Sequence, residues 1–442
     1  MKIIFCLNAF FPRHKAGTEH YCLALLQALQ EKGHDCLVVV PHFFNSRRDS
    51  YSYQGVRVIQ YAEPSQLDKS LARGLRAPDG LEDFIQVIRD EKPDLVHFQE
   101  YSFSNGIGKY HFEALNRMGI PIFLTYHLAG YTCYNGTLMK MGKSLCSGSI
   151  DEKTCSTCVL QFKGLEGWKL TLMDSLSQFF FKLNLDTSEW KNSMGTGLGF
   201  PFIIKKFRND FQYIAGLCTH LVVIADWYKE VLKINGIPSE KVSFIPQGLT
   251  GKGFSKKSTE LLAHGPIKIL YLGRITPIKG LLILLKALKD IKGNFFELNI
   301  YGDVTDEVYY KQCMSFVEGN ENVHWYPSCI SDKVPEIMSE HDLVCVPSIC
   351  AEMAPLVIQE AFAAGLPVLA ADAPGNAEMV THEKNGWLFE MGNSKSLMEI
   401  LILLSQNREF ITKAMRSFPV NRKFDEVAQA YDDLYRNKIV AF

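Results

Sequence analysis

No apolar run in the 442-residue chain reaches the roughly 18 residues that a membrane-spanning helix needs. Charge of one sign is missing as well: 47 Lys and Arg stand against 48 Asp and Glu, a net charge of −1, so no overall field points to nucleic acid. No Asp-x-Asp pair offers two carboxylates to a divalent cation. The opening MKIIFCLNAFFPRH has no small-residue cleavage site and reads as a first strand rather than a signal peptide, from which a cytoplasmic location is expected. In that setting Asn135-Gly136-Thr137 is no glycosylation acceptor. A phosphate loop is also lacking, because GTLMKMGKS puts five residues between Gly136 and Gly142 where four are required.

What is there suffices for more than one core. Hydrophobic residues make up 47% of the chain, and at about 150 residues per domain the length predicts two or three domains. Lys2–Leu7 reads as a strand, followed by a loop with Gly17, a helix from about Glu19 to Gln30 closed by Gly33, and a strand at Cys36–Val40. Such β-loop-α-β units build parallel sheets, whose ligands bind outside the carboxyl ends of the strands. Further strands are expected at Asp94–Phe98, Pro121–Tyr126 ending at His127, His220–Ile224 and Val242–Pro246. Asp226 reads as a helix N-cap. The Gly-, Ser- and Lys-rich stretch after Pro246 is the best linker, which sets domains at 1–247 and 248–424. The alternation then restarts with Ile267–Leu272, a helix from about Gly280, strands Glu297–Tyr301 and Asp342–Pro347, a helix after Pro355, and strand Pro367–Ala371.

Two turns in the second half carry chemistry. In VCVPSICAEMAPLVIQEAFAAG, Val344–Gly365, a strand runs into a small-residue loop, and Pro355 opens a helix that Gly365 closes. Glu352 precedes that helix and Glu360 lies more than a turn inside it, so the two carboxylates can address separate hydroxyl-bearing parts of one extended ligand. GRITPIKG sets Gly273 at a strand end with Arg274 beside it and Lys279 at the start of the next helix. Two cations with a helix N-terminus suit a diphosphate; a solvated basic turn is the plainer alternative.

These turns, with AFAAGLPVLA, PGNAEMVTHEKNGWLF, the AGTEH loop, TYH around His127 and the SFIPQG linker, resemble family 4 glycosyltransferases of the GT-B fold over nearly the whole chain. The resemblance implies an α/β chain of two Rossmann-like, doubly wound domains facing each other across a donor cleft, the first binding the acceptor, with a C-terminal helix at 425–442 packing back on it. It implies a retaining transferase of hexosyl or N-acetylhexosaminyl groups, moving sugar from a nucleotide-diphosphate sugar, UDP expected over GDP, to a glycan or lipid-linked acceptor, with no catalytic divalent metal. Arg274 and Lys279 would hold the diphosphate beside Gly273, Glu360 the ribose hydroxyls and Glu352 the donor sugar. Gly17 would meet the diphosphate from the first domain, His127 would lie near the transferred sugar, and Glu378 would match the carboxylate of the last motif. Two departures matter. The family's double glycine is Ala16-Gly17 here, and its Phe-Gly after the first Glu is Ala354-Pro355, so phosphate must be met by the N–H groups of Met353, Ala354, Leu356 or Val357. Gln247 stands where Asn is commoner. A sugar-nucleotide epimerase or phosphorylase of the same architecture, or a nucleotide-sugar-binding protein without turnover, remains an alternative.

Two insertions stay outside this signature. Leu160–Tyr213 reads as irregular and aromatic, with seven Lys/Arg against four Asp/Glu between residues 161 and 208: a lid, a platform for peripheral contact with a membrane's inner face, or an aromatic core insertion. Cys133, Cys146, Cys155 and Cys158 fall within twenty-six residues and end in C-x-x-C. They suit one structural zinc without a catalytic role; free thiols or a redox pair are the alternatives.

Overall fold

A computed structural model describes the chain except for residues 104–105, 191, 250–252, 256–264, 329–332 and 440–442. It divides into one unit of Met1–Gln247 with Lys423–Phe442 and a second of Gly248–Arg422.

The first unit is built on an eight-stranded sheet: β1 (Lys2–Cys6), β2 (Asp35–Phe43), β3 (Asp49–Tyr53), β4 (Val56–Glu63), β5 (Leu95–Phe98), β6 (Ile122–Tyr126), β9 (His220–Val223) and β10 (Val242–Phe244). A two-stranded ribbon, β7 (Met139–Lys140) and β8 (Ser144–Leu145), lies in the connection between β6 and β9. The order is β10-β9-β6-β5-β1-β2-β4-β3, parallel except for the β3–β4 pair. Ile3 to Leu7 are wholly buried, as expected of a central parallel strand covered on both faces.

The second unit has six parallel strands, β11 (Ile267–Leu272), β12 (Phe296–Tyr301), β13 (Val323–Tyr326), β14 (Leu343–Val346), β15 (Val368–Ala371) and β16 (Gly386–Phe389). Their order, β13-β12-β11-β14-β15-β16, is that of a doubly wound dinucleotide-binding sheet. Strand alternation feeds two cores: Ile267, Ile269 and Tyr271 pack on one face, while Leu270 joins Val344, Ile358 and Phe362 on the other. The order reverses between β11 and β14. It also reverses between β1 and β5 in the first unit, and such switch points open a crevice at the carboxyl ends.

Several local expectations need correction. β3, β4, β13 and β16 were not foreseen, and Leu160–Tyr213 is helical rather than irregular, with helices at Gly167–Lys182, Ser193–Leu198 and Phe200–Leu217 after one at Glu152–Phe162. Trp227, not Asp226, occupies the N-cap of the helix Tyr228–Ile234, and Asp226 forms an ion pair with Lys229. Pro355 sits at the N-cap with extended ψ of 117°, one position before the first helical residue, because an N-cap has non-helical ψ and needs no N–H. Lys279 ends a 3-10 turn, Pro277–Lys279, and the helix proper begins at Leu281 after a left-handed Gly280.

Inside the first unit the helix Phe424–Ile439 completes a buried polar chain. Tyr21 donates to the Tyr431 hydroxyl (2.9 Å), Tyr431 and Thr125 share a bond (2.9 Å), and His97 is held by Thr125 (2.8 Å) and Tyr435 (2.6 Å). Burial drives His97 well below the usual imidazole range, so its ring is neutral and relies on both hydroxyls. Tyr435→Phe should therefore destabilise the protein by about 1–3 kcal/mol, the cost of an orphaned buried polar atom. Urea unfolding checks this, and an unchanged midpoint would show that the ring nitrogen needs no partner.

Candidate active site

The second switch point is built on a backbone crossing. A Cβ on Gly280 would lie 1.9 Å from the Pro347 carbonyl oxygen, and φ of +70° there favours glycine independently. One hydrogen bond, Ile349 N–H to the Ile278 carbonyl (2.9 Å), clamps the loops after β11 and β14 together. The same tightness recurs beneath Glu352, where a Cβ on Gly375 would meet the Glu352 carbonyl at 2.0 Å.

This crossing brings Lys279 and Glu352 together. Lys279 Nζ lies 2.6 Å from Glu352 Oε1, which also accepts from Ser348 Oγ (2.8 Å); both charged side chains are largely shielded. Arg274 is exposed and makes no ion pair among the described residues, while its carbonyl accepts from the Tyr271 hydroxyl (3.0 Å). Buried Cys350 places these charges around one spot: burial pushes its thiol up to about 12, Glu352 pushes the same way, and Lys279 and Arg274 oppose. At Gly273 a Cβ would meet nothing nearer than the Tyr271 hydroxyl at 3.8 Å, so the bare backbone is open to a ligand there.

The helix Leu356–Ala364 starts at the same end. Leu356 and Val357 supply N–H groups of its first turn, where the helix dipole favours an anion; Met353 is buried and Ala354 half-buried just before it. Glu360, half-buried, has no hydrogen-bond partner among the described residues, and burial alone pushes its carboxyl up to about 7. Glu378 lies on the short helix Pro374–Met379.

The first switch point differs in kind. Gly17 is exposed as the first residue of the helix Gly17–Glu31, whose buried Glu19 accepts from Ala16 N–H (2.9 Å) and bonds His14 Nδ1 (2.7 Å). Across from it Glu100 accepts from Asn8 N–H (2.6 Å), and burial, with help from Glu19, raises its carboxyl. His127 is buried, packs edge-on against Tyr21 with centroids 4.7 Å apart, and bonds Gln99 Oε1 through Nε2 (2.8 Å). Burial lowers its imidazole to about 3, so His127 serves as a neutral hydrogen-bonding group rather than a cation. Gln99 Nε2, wholly buried, has no partner among the described atoms. Gln99, Glu100 and Glu19 were missed in the sequence; the available signal was their place just past β5 or in the first turn after the β1 loop.

The cysteines cluster without forming a metal shell. Cys133, Cys146 and Cys158 all act on the Cys155 thiol, which burial first of all pushes up to about 11. Yet Cys155 points to the Ser149 carbonyl (3.8 Å), and Cys158 lies against the β7 backbone, near Met139 O (3.6 Å) and Met141 N (3.2 Å). Among the described residues no three His, Cys, Asp or Glu side chains form a metal-holding group, and the four thiols are free and half-buried.

Residues 254–417 match the family model of glycosyl transferases group 1, and residues 16–150 match the glycosyl transferase 4-like domain. The amylovoran biosynthesis glycosyltransferase AmsK of Erwinia amylovora is 28% identical over 221 residues, 48% of this chain and 54% of AmsK. The UDP-Gal:alpha-D-GlcNAc-diphosphoundecaprenol alpha-1,3-galactosyltransferase of Escherichia coli is 24% identical over 250 residues, 51% of this chain and 63% of the relative. The chain spans about half the length of the first curated relatives it matches. Anabaena HepE, solved in complex with UDP and glucose, superposes with a TM-score of 0.61 at 15% identity, over 99% of each chain. Two doubly wound sheets with this likeness define the GT-B fold. Within that class the chain belongs to the group 1 glycosyl transferases, of the family 4 type.

Glu360 yields a pH test. Its carboxyl titrates near 7 in the fold against an ordinary 4.5, so the native state binds that proton more tightly than the unfolded chain does. Stability is then fully present below pH 4.5 and is lost as pH rises toward 7, by at most about 3 kcal/mol. Glu360→Gln should raise Tm at pH 8 and leave it unchanged at pH 4. Equal effects at both pH values would contradict the placement of this carboxyl.

Proposed function

We propose that the protein is a retaining glycosyltransferase that moves a hexosyl or N-acetylhexosaminyl group from a UDP-sugar to a glycan or lipid-linked acceptor in polysaccharide or glycoconjugate synthesis. The observation that carries the reading is the gathering of Arg274, Lys279 and Glu352 at the switch point of the second sheet, with Glu360 within the adjoining helix. The AmsK and galactosyltransferase likenesses support the reaction class, and HepE's complex with UDP supports the nucleotide.

In this reading the diphosphate lies against Gly273, Arg274, Lys279 and the N–H groups of Leu356 and Val357. The bond from the anomeric carbon to the leaving phosphate oxygen breaks as the acceptor oxygen bonds the same face, and the acceptor proton passes to that phosphate oxygen. Negative charge grows on the diphosphate, so fixed cations and a helix dipole stabilise the transition state without a divalent metal. Lys279 can serve only by turning from Glu352 to phosphate, which frees Glu352 for a donor-sugar hydroxyl. Glu360 accepts from ribose hydroxyls, a bond that favours its ionised form; donor affinity should therefore weaken as pH falls below about 7. Within the first unit, neutral His127 and Gln99 offer the hydrogen-bonding groups that suit sugar hydroxyls, and Gly17 leaves bare backbone at the start of its helix. The proposed setting is cytoplasmic, with residues 161–208 giving peripheral contact with the inner face of a membrane.

A thermal-shift screen of UDP- and GDP-sugars tests donor choice, since a ligand that binds the native state raises its apparent stability. Arg274→Ala and Lys279→Ala should each cost roughly 2–4 kcal/mol of transition-state stabilisation, read as kcat/KM in the presence of EDTA. Glu360→Gln should raise donor KM, whereas Glu352→Gln should act on kcat. Near-normal turnover in both cation variants would remove the diphosphate assignment.

A further inference from the structure

The helix Gly167–Lys182 is apolar on its exposed face as well as on its inner side, where half-buried Phe181 packs against Phe202 with centroids 4.9 Å apart. Its only fully buried side chain is Ser177, and Asp174 also turns inward, accepting from the Thr157 hydroxyl (2.8 Å). Outward point Trp168 (72% exposed), Leu172 (51%), Leu176 (41%), Phe179 (56%) and, at the C-cap, Leu183 (52%). At 100° per residue these five fall within an arc of roughly 80°. Lys169 and Lys182 flank the stripe on its two edges, and Lys163 stands in the turn before the helix. All three lysines are exposed, and among the described residues none is in an ion pair. Asp174 is the one acidic residue on the helix.

We propose that this face lies on the surface of an anionic lipid bilayer. A narrow apolar stripe bordered by lysines, with an aromatic residue near each end, is the pattern of a helix that rests in the interface with its apolar side among acyl chains and its cations at the headgroups. At 16 residues the helix lies flat rather than crossing, in keeping with the absence of any membrane-crossing helix among the described residues. A second copy of the chain fits less well. Two such stripes brought together would oppose lysine edges of like charge, and five partly exposed side chains offer a few hundred Å², short of the roughly 800 Å² per partner of a stable interface. The inference narrows the membrane contact proposed above to one helix face and one lipid charge, and it does not depend on the transfer reaction.

Cosedimentation with vesicles tests it. The full-length protein should pellet with phosphatidylglycerol-containing vesicles, pellet poorly with pure phosphatidylcholine, and be released by salt. The Leu172→Ser/Phe179→Ser double variant, altered only at exposed positions, should partition at least about tenfold less. Lys163→Glu/Lys169→Glu/Lys182→Glu should erase the preference for phosphatidylglycerol. Circular dichroism of both variants should match the parent, and UDP-sugar thermal shifts should be unchanged, which separates this claim from the donor reading. Failure to pellet with anionic vesicles, or partition indifferent to both variants, overturns the proposal. So does a dimer seen by light scattering that Leu172→Ser/Phe179→Ser splits, since a second copy would then own the face.

Discussion

At the crossing of Gly280 over Pro347 the backbone leaves room for a hydrogen atom and nothing larger. That restriction decides where the charges of the second unit stand. Because the loop after β11 is pressed onto the loop after β14 and tied to it through Ile349 N–H, Lys279 has a short reach to Glu352, and Cys350 is buried beside them. The strand order prepares this meeting: neighbouring strands whose connections leave in opposite directions hold their following loops apart, and only at the reversal do loops from sequence-distant strands face one crevice. Close backbone packing and topology thus act before any side chain does.

Much of this was legible in the sequence, for physical reasons that vary along the chain. β11 stands where its apolar run puts it, since a strand buried on both faces leaves a continuous signal. β13, VHWY, is half-buried at an edge, and β16 is four residues long and starts with glycine, so neither leaves a run that stands out from a loop. Gly365 ends its helix with φ of 79°, the signature that glycine advertises. Pro355 misled by one position because proline's fixed φ suits the N-cap as well as the first turn, and only ψ separates them.

The candidate site divides in the same way. Arg274, Lys279, Glu352 and Glu360 are visible because cations and carboxylates at strand ends are rare enough to be noticed. Their pairing was not: that Lys279 spends its charge on Glu352 depends on the Gly280 crossing, a contact between positions 67 residues apart that no local pattern records. The thiol cluster shows where a local spacing stops informing. C-x-x-C spacing describes sulfur positions along a helix, whereas a tetrahedral shell needs four sulfurs turned to one point, and in this structure Cys158 lies against the backbone of β7.

The two switch points share a topology and differ in chemistry, which bears on how work would be divided under the proposed reaction. In the second unit the groups beside the crevice are two cations and a helix N-terminus, a set that meets concentrated negative charge. In the first the enclosed groups are Glu19, Glu100, Gln99 and a neutral His127; exposed Arg13 and Lys15 stand outside them on the loop. Glu100, whose carboxyl burial already holds back from ionising, would be driven further from ionisation by an adjacent phosphate, so phosphate gains nothing from its company. Hydroxyls do, since they donate to carboxylate and amide oxygen and accept from amide N–H. Gln99 Nε2 is a donor that burial has stripped of water and left without a protein partner, and such a group recovers its desolvation cost only from an incoming acceptor atom. The first unit is thereby suited to reading sugar oxygens and the second to holding a leaving diphosphate, a division made by side chains on one repeated sheet order rather than by the fold itself.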